Sequence, residues 1–229
     1  MIVTIHQPEH LPWSGFFNKM AYCDLFVYLD NTQFKKHYFE NRNKIKRGED
    51  WLWTTVPVKK QSLKTEIRDI EISEIDWTGS YLDQIKDGYR KAEHFSSFFP
   101  RLEETVLLGR QRLVDLNIDL INLFRDYLNI KTETIFASDL NLHQVKGSDL
   151  ILKICQKTNA TQYISGPDGR NYLNLDTFND IEVLYHNYQH PVYAQLGSNF
   201  ISHMSIVDLI FNQGQKSEEI IKKEKYFNR

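Results

Sequence analysis

Cysteine, glycine and net charge are all scarce in this 229-residue chain, and each scarcity removes a class of protein. The 2 cysteines, Cys23 and Cys155, form no CxxC pair. A disulfide framework and a cysteine-built zinc site are thereby excluded, and the two read as buried thiols of a reducing compartment. Charge of one sign is absent too. The 28 Lys+Arg against 30 Asp+Glu leave a formal net charge of −2, which argues against general nucleic-acid binding. No apolar run reaches the length of a membrane span. Residues 1–6 carry no basic region and no small-residue cleavage site, so no signal peptide is expected. A soluble, cytoplasmic protein is the resulting expectation.

Signatures of large enzyme classes are also lacking. There is no GxxxxGK[ST], no GxGxxG, no GxSxG and no Asp-x-Asp pair for a divalent ion. His6 and His10 are four apart, but Pro8 and Pro12 make a regular helix there unfavourable, and no third ligand is in view. No metal is expected, and the sequence identifies no cofactor. An imidazole at His6 reads better as a base or an orienting group.

What is present is apolar and aromatic. Hydrophobic residues make up 41% and aromatics 13%, enough for a packed core and suited equally to an aromatic interior or a stacking pocket. Residues 2–5 read as a strand, 13–22 as a helix, and 24–30 as a strand apolar on both faces, together a compact βαβ unit. A hairpin is expected within 33–58. Residues 67–72 alternate like a half-exposed strand, and 78–128 carry helical stripes. Strands return at 134–137, 161–165 and 181–185. Ser148 is expected to cap a helix ending near Lys157, Ser205 another over 206–212 that Gly214 stops, and 216–229 reads as a charged helix or fray. The fold class is α/β: a mainly parallel sheet flanked by helices, with a β-hairpin excursion and a helical annex. One domain is expected, its α/β core at 1–75 and 130–215 and a helical insertion at 76–129.

Polar clusters follow three of these strands: residues 6–10, 30–33 and 165–171. Open α/β sheets bind ligands at the carboxyl ends of their strands. Asn41, Asn43 and Ile45 should share one face of their strand, and Arg42, Lys44 and Lys46 the other, a cationic face fit for phosphate or carboxylate. Asp24 and Asp208 each sit early in an element and are expected to be structural.

The ordered motif Gln7-Pro8, Pro12-Trp13-x-Gly15-Phe16-Phe17-x-Lys19, Asp24-x-Phe26-Val27-x-Leu29-Asp30, Gln33-Phe34-x-Lys36 and Asn41-Arg42-Asn43-x-Ile45-Lys46 resembles the WbqC-like family. The resemblance continues through Tyr163-Ile164-Ser165-Gly166, Tyr172-Leu173, Tyr193-x-Gln195 and Ser205-Ile206-x-Asp208. His10 stands where the family pattern has an aromatic, which counts against a catalytic role for it. The resemblance implies an association with bacterial surface-polysaccharide (O-antigen) gene clusters. It further implies N-acyl or aminoacyl transfer, glycine included, onto an amino sugar or sugar nucleotide, with an activated acyl donor as second substrate. Such chemistry needs a base, for which His6 and Asp30 are the candidates. Gln7, Trp13, Gln33, Lys36, Asn41, Arg42, Asn43, Lys46, Ser165, Gly166, Tyr172, Tyr193 and Gln195 are the candidate substrate contacts. Two alternatives stay open. One is nucleotidyl transfer, although Trp13 and Phe16 fall where a His-x-Gly-His signature has histidines. The other is a non-catalytic sugar-nucleotide-binding module that uses Trp13, Tyr172 and Tyr193.

Overall fold

The structure, a computed structural model, describes residues 1–142, 144–223 and 227–228. In chain order it begins with β1 (Ile2–His6), α1 (Ser14–Ala21) and β2 (Leu25–Tyr28), followed by the hairpin β3 (Arg42–Arg47) and β4 (Asp50–Thr55). Three helices come next: α2 (Thr78–Tyr89), α3 (Phe95–Val106) and α4 (Leu113–Tyr127). The sequence closes with β5 (Glu133–Phe136), α5 (Gly147–Lys157), β6 (Gln162–Ser165), β7 (Glu182–His186), α6 (Ile206–Gln213), α7 (Lys216–Lys222) and β8 (Phe227–Asn228).

Side-chain alternation explains why the strands read as continuous apolar runs. Leu25 and Val27 of β2 join Val3, Ile5, Leu150 and Ile154 in one apolar cluster. Phe26 and Tyr28 turn the other way, into a larger cluster with Phe16, Phe17, Phe98, Leu120 and Phe124. The sheet is therefore buried on both faces, as parallel sheets require. The helices over 78–127 share the larger cluster with α1 and the sheet, so they close the main core.

The six-stranded sheet has the order β5-β2-β1-β6-β7-β8, and β3 and β4 pair separately. All its pairings are parallel except that of β7 with β8. Strand order reverses at β1, which has β2 on one side and β6 on the other. Open sheets of this kind accept ligands at such a reversal, here beside the carboxyl ends of β1 and β6. Among the described residues no helix is long and apolar enough to cross a membrane.

Several expectations change in detail. Residues 67–72 do not form a strand. Ile67–Asp69 is a 3₁₀ turn, because the Ile67 and Arg68 amides bond to the Thr32 and Asp30 carbonyls rather than to a strand partner; isolated bridges flank it, Gln33 with Glu66, Val58 with Ile72 and Glu71 with Arg112. Ser148 does not cap α5. It lies inside the first turn, and its hydroxyl accepts the Asn174 N–H at 2.9 Å. Ser205 does cap α6, accepting from the Val207 N–H, and Gly214 ends that helix at φ 54°. Of the expected tail, residues 216–222 form α7, while 224–226 and 229 lie outside the described residues. Cys23 and Cys155 are both free and buried. Asp24 Oδ2 accepts the Ile2 N–H at 2.7 Å and so fixes the start of β1.

Two helical glycines separate packing from propensity. A Cβ on Gly15 would meet the Trp13 ring at 2.5 Å, whereas one on Gly79 would meet nothing within 4 Å. Gly15→Ala should therefore cost about 1–3 kcal/mol in urea unfolding, the scale of overpacking. Gly79→Ala should leave stability unchanged or raise it by up to about 1 kcal/mol. Equal effects at the two positions would contradict this packing.

Candidate functional site

The segment after β1 is irregular, and two asparagines hold it. Pro8 and Pro12 deny it helical bonding, and Leu11 adopts φ 43°. Asn117, fully buried on α4, donates from its amide to the Pro8 carbonyl at 3.0 Å and to the Glu40 carbonyl at 2.8 Å. Its carbonyl oxygen lies 2.9 Å from His10 Nδ1, whose Nε2 lies 2.7 Å from the Tyr81 hydroxyl. Asn43 donates to the carbonyls of His10 and Leu11 at 3.2 and 2.9 Å. The His10 N–H donates to Phe39 at 2.8 Å. Both ring nitrogens of His10 are thus engaged in packing the loop.

This scaffold presents a set of buried ionisable groups. Glu9 and Glu40 are 9% and 1% exposed, and Glu9 Oε2 and both Glu40 carboxyl oxygens accept no hydrogen bond from another described residue. Lys19 of α1 is 2% exposed. Burial pushes the Glu9 carboxyl up to about 8; Lys19 pulls it down and Glu40 pushes it further up. Burial likewise raises Glu40 to about 7. Lys19 is lowered to about 8 by burial, with Glu9 drawing it back up. Glu9 and Lys19 titrate in the same range, so the exchangeable proton belongs to the pair.

Histidines frame the group as neutral rings. His6 Nδ1 lies 3.0 Å from the Gln7 carbonyl and donates to it, so Nε2 carries the lone pair. That nitrogen stands 3.8 Å from Glu9 Oε1, and the ring meets Phe16 edge-on at 5.0 Å. Burial first, and Lys19 second, lower His6 to about 3. His186, at the end of β7, donates from Nε2 to Asn18 Oδ1 at 2.8 Å and is also lowered to about 3, by burial and then Lys19. A neutral imidazole with so little proton affinity orients neighbours better than it takes protons. Among the described residues no group of three or more His, Cys, Asp or Glu is placed to hold a metal ion.

The family model described as the WbqC-like protein family matches residues 7–220. The chain belongs to this family. An "Uncharacterized protein Rv1507c" of Mycobacterium tuberculosis is 32% identical over 225 residues, covering 96% of this chain and 97% of its own. No solved structure matches.

Within this WbqC-like chain the sequence candidates fall into separate groups. His6 and Gln7 adjoin Glu9, and the Gln7 amide donates to Thr32 Oγ1 at 3.1 Å. Ser165 and Gly166 end the neighbouring strand β6, with the Ser165 hydroxyl donating to the Gly166 carbonyl at 3.0 Å. The glycine under steric demand there is Gly169, where a Cβ would stand 1.9 Å from Ser165 Oγ; at Gly166 it would meet nothing within 4 Å. Asp30 accepts from both the backbone and the hydroxyl of Ser138, at 3.0 and 2.7 Å, and so ties β2 to the turn after β5.

A second group is remote in role. Lys46 Nζ donates to Gln195 Oε1 at 3.3 Å and to the Asn199 carbonyl at 2.6 Å. Gln195 and Tyr193 both donate to the buried Asp208, at 2.7 and 2.8 Å. Asp208 is raised by burial and held back by these bonds. This network fastens the segment after β7 to the hairpin. Trp13 belongs there as well, its ring stacked on His203 and His190. Asn41 donates to the Val56 carbonyl, while Arg42 turns to the other hairpin face and lies 4.1 Å from the Trp53 ring centre. Gln33 forms an isolated bridge with Glu66, Lys36 is exposed, and Tyr172 is half exposed with a hydrogen bond to Tyr163.

Glu9, Lys19 and Glu40 are not marked as site residues by the sequence. Glu9 and Lys19 lie within or beside the quoted motif, but nothing in spacing distinguishes a buried carboxyl from a solvated one.

A pH prediction follows for Glu9. Its folded pKa of about 8 exceeds the reference 4.5, so the carboxyl adds no strain below 4.5 and destabilises progressively as pH rises to 8. The lowered Lys19 contributes its own slope only above pH 8. Relative to the natural chain, Glu9→Gln should gain on the order of 5 kcal/mol between pH 4.5 and pH 8 in urea unfolding. A pH-independent difference would show that Glu9 is not buried as described.

Proposed function

We propose that this WbqC-like protein transfers an acyl or aminoacyl group, glycine among them, to the amine of an amino sugar or sugar nucleotide in bacterial surface-polysaccharide biosynthesis. The observation that supports it is the buried pair Glu9 and Glu40, with oxygens unpartnered among the described residues, beside Lys19 at the carboxyl edge of the sheet. In such a transfer the amine nitrogen attacks the acyl carbonyl, the bond to the leaving group breaks, and one proton passes from the amine to the leaving group. A base titrating near the working pH can both accept and return that proton. Glu9 fits this role better than His6, whose proton affinity is too low, or Asp30, whose oxygens are occupied by Ser138. Lys19 supplies positive charge for the oxygen that becomes anionic during attack. Glu40 keeps Glu9 protonatable by mutual repulsion.

The test is mass spectrometry of sugar nucleotides and surface polysaccharide from cells carrying the natural gene, a deletion, or Glu9→Gln. The natural cells should show a product heavier by one acyl or aminoacyl group. The deletion and Glu9→Gln should lack it, with the variant protein present and folded. Identical masses in all three would sink the reading. With an identified donor, kcat/KM should rise with pH and level off above about 8, and Glu9→Gln should lose that rise.

A further inference from the structure

A cavity of 530 Å³ lies at the carboxyl ends of β2 and β5, within the size range of small-molecule sites. Nothing in the acid–base cluster around Glu9 requires it. Among the described residues Lys64, Arg68 and Lys146 line it with positive charge. Glu66, the lining carboxylate among them, is already paired with Arg68 at 2.8 Å. Leu142, Val145 and Leu150 add apolar lining. Cations together with apolar lining suit a ligand that is anionic at one end and flat or apolar at the other. A compact anion alone would leave the apolar lining unused.

Two further features strengthen the anionic end. Gly147, the first residue of the 11-residue helix α5, lines the cavity, and no side chain caps that helix. The first-turn amides and the helix dipole favour negative charge, of which Asp149 in that turn supplies one. A Cβ on Gly147 would meet nothing within 4 Å, so the approach to this backbone is open. Asn31 also lines the cavity, and its Oδ1 is buried without a partner among the described residues. It can accept from a sugar hydroxyl or a base N–H.

The cavity adjoins the acid–base cluster through one hydrogen bond. Thr32 is in its wall, and Thr32 Oγ1 accepts from Gln7, which stands between His6 and the loop bearing Glu9. We propose that this cavity is a diphosphate site that takes the nucleoside diphosphate of an activated sugar, with Lys64, Arg68 and Lys146 on the phosphates and the Leu142, Val145 and Leu150 lining against the nucleoside. The inference deepens the functional reading and rests on it only for the sugar end of the ligand.

Calorimetry of the full chain tests it, with pyrophosphate, inorganic phosphate, uridine diphosphate and adenosine diphosphate as probes. The natural protein should bind pyrophosphate more tightly than phosphate, and at least one nucleoside diphosphate more tightly than pyrophosphate. The double variant Lys64→Gln/Lys146→Gln, checked by melting curve, should weaken nucleoside diphosphate binding at least tenfold. Glu9→Gln should leave it unchanged. Absence of diphosphate binding, or binding indifferent to the double variant, overturns the site. Equal affinity for pyrophosphate and both nucleoside diphosphates overturns the nucleoside part. Diphosphate binding that depends on the lysines, in a protein with no transfer product in cells, would retain the cavity and discard the transfer reading.

Discussion

One carboxamide carries the site. Asn117 satisfies the Pro8 and Glu40 carbonyls and one nitrogen of His10, three groups from two irregular segments that have no sheet or helix to bond with. Buried backbone carbonyls without partners are costly, so the loop after β1 can sit inside the molecule only because α4 brings this side chain to it. Asn43 repeats the arrangement from the hairpin side. The helices over 78–127 and the hairpin thus act as a vice on the segment that holds Glu9. Cores formed by Phe98, Leu120 and Phe124 on one side and by Ile45 on the other keep that vice rigid.

Rigidity of this kind explains why ionisable groups survive inside. A carboxyl moved out of water gives up solvation and responds by holding its proton; an ammonium responds by losing one. Glu9, Glu40 and Lys19 show both responses, and the neutral His6 and His186 beside them show the same for imidazole. Stability alone does not favour such a cluster, since apolar side chains of similar volume would pack at lower cost. Groups with perturbed proton affinities gathered at the carboxyl edge of a parallel sheet are a recognised mark of a functional site. Asp208 is the counterexample within the same molecule. It is equally buried, but Tyr193 and Gln195 both donate to its Oδ2, and these bonds anchor a segment.

Architecture was legible in the residues because apolar periodicity survives folding. The run 24–30 announced a strand buried on both faces, and Ser205 with Gly214 marked both ends of α6. Residues 67–72 alternated as a strand would, yet their amides found Thr32 and Asp30, a tertiary choice that no local pattern encodes. The site was legible only in outline. The carboxyl edge beside β1 follows from topology, and His6 and Gln7 lie at it. Asp30, Lys46, Tyr193 and Gln195 were singled out for their chemistry, but each spends it on a neighbour within the fold. Glu9 shows in the sequence only as part of the polar cluster 6–10 and Glu40 not at all, because a carboxyl's burial depends on what packs over it, here α4 and the hairpin, far away in sequence.

The central claim is that Asn117 holds Glu9 in a site where its carboxyl keeps its proton near neutrality. A carbon-13 NMR titration of the Glu9 side chain, in the natural chain and in Asn117→Ala, measures this at the atom concerned. The account predicts a midpoint near 8 in the natural chain and a fall toward 4.5 when the loop is released. A natural-chain midpoint near 4.5, or a midpoint near 8 untouched by Asn117→Ala in a folded protein, would contradict it.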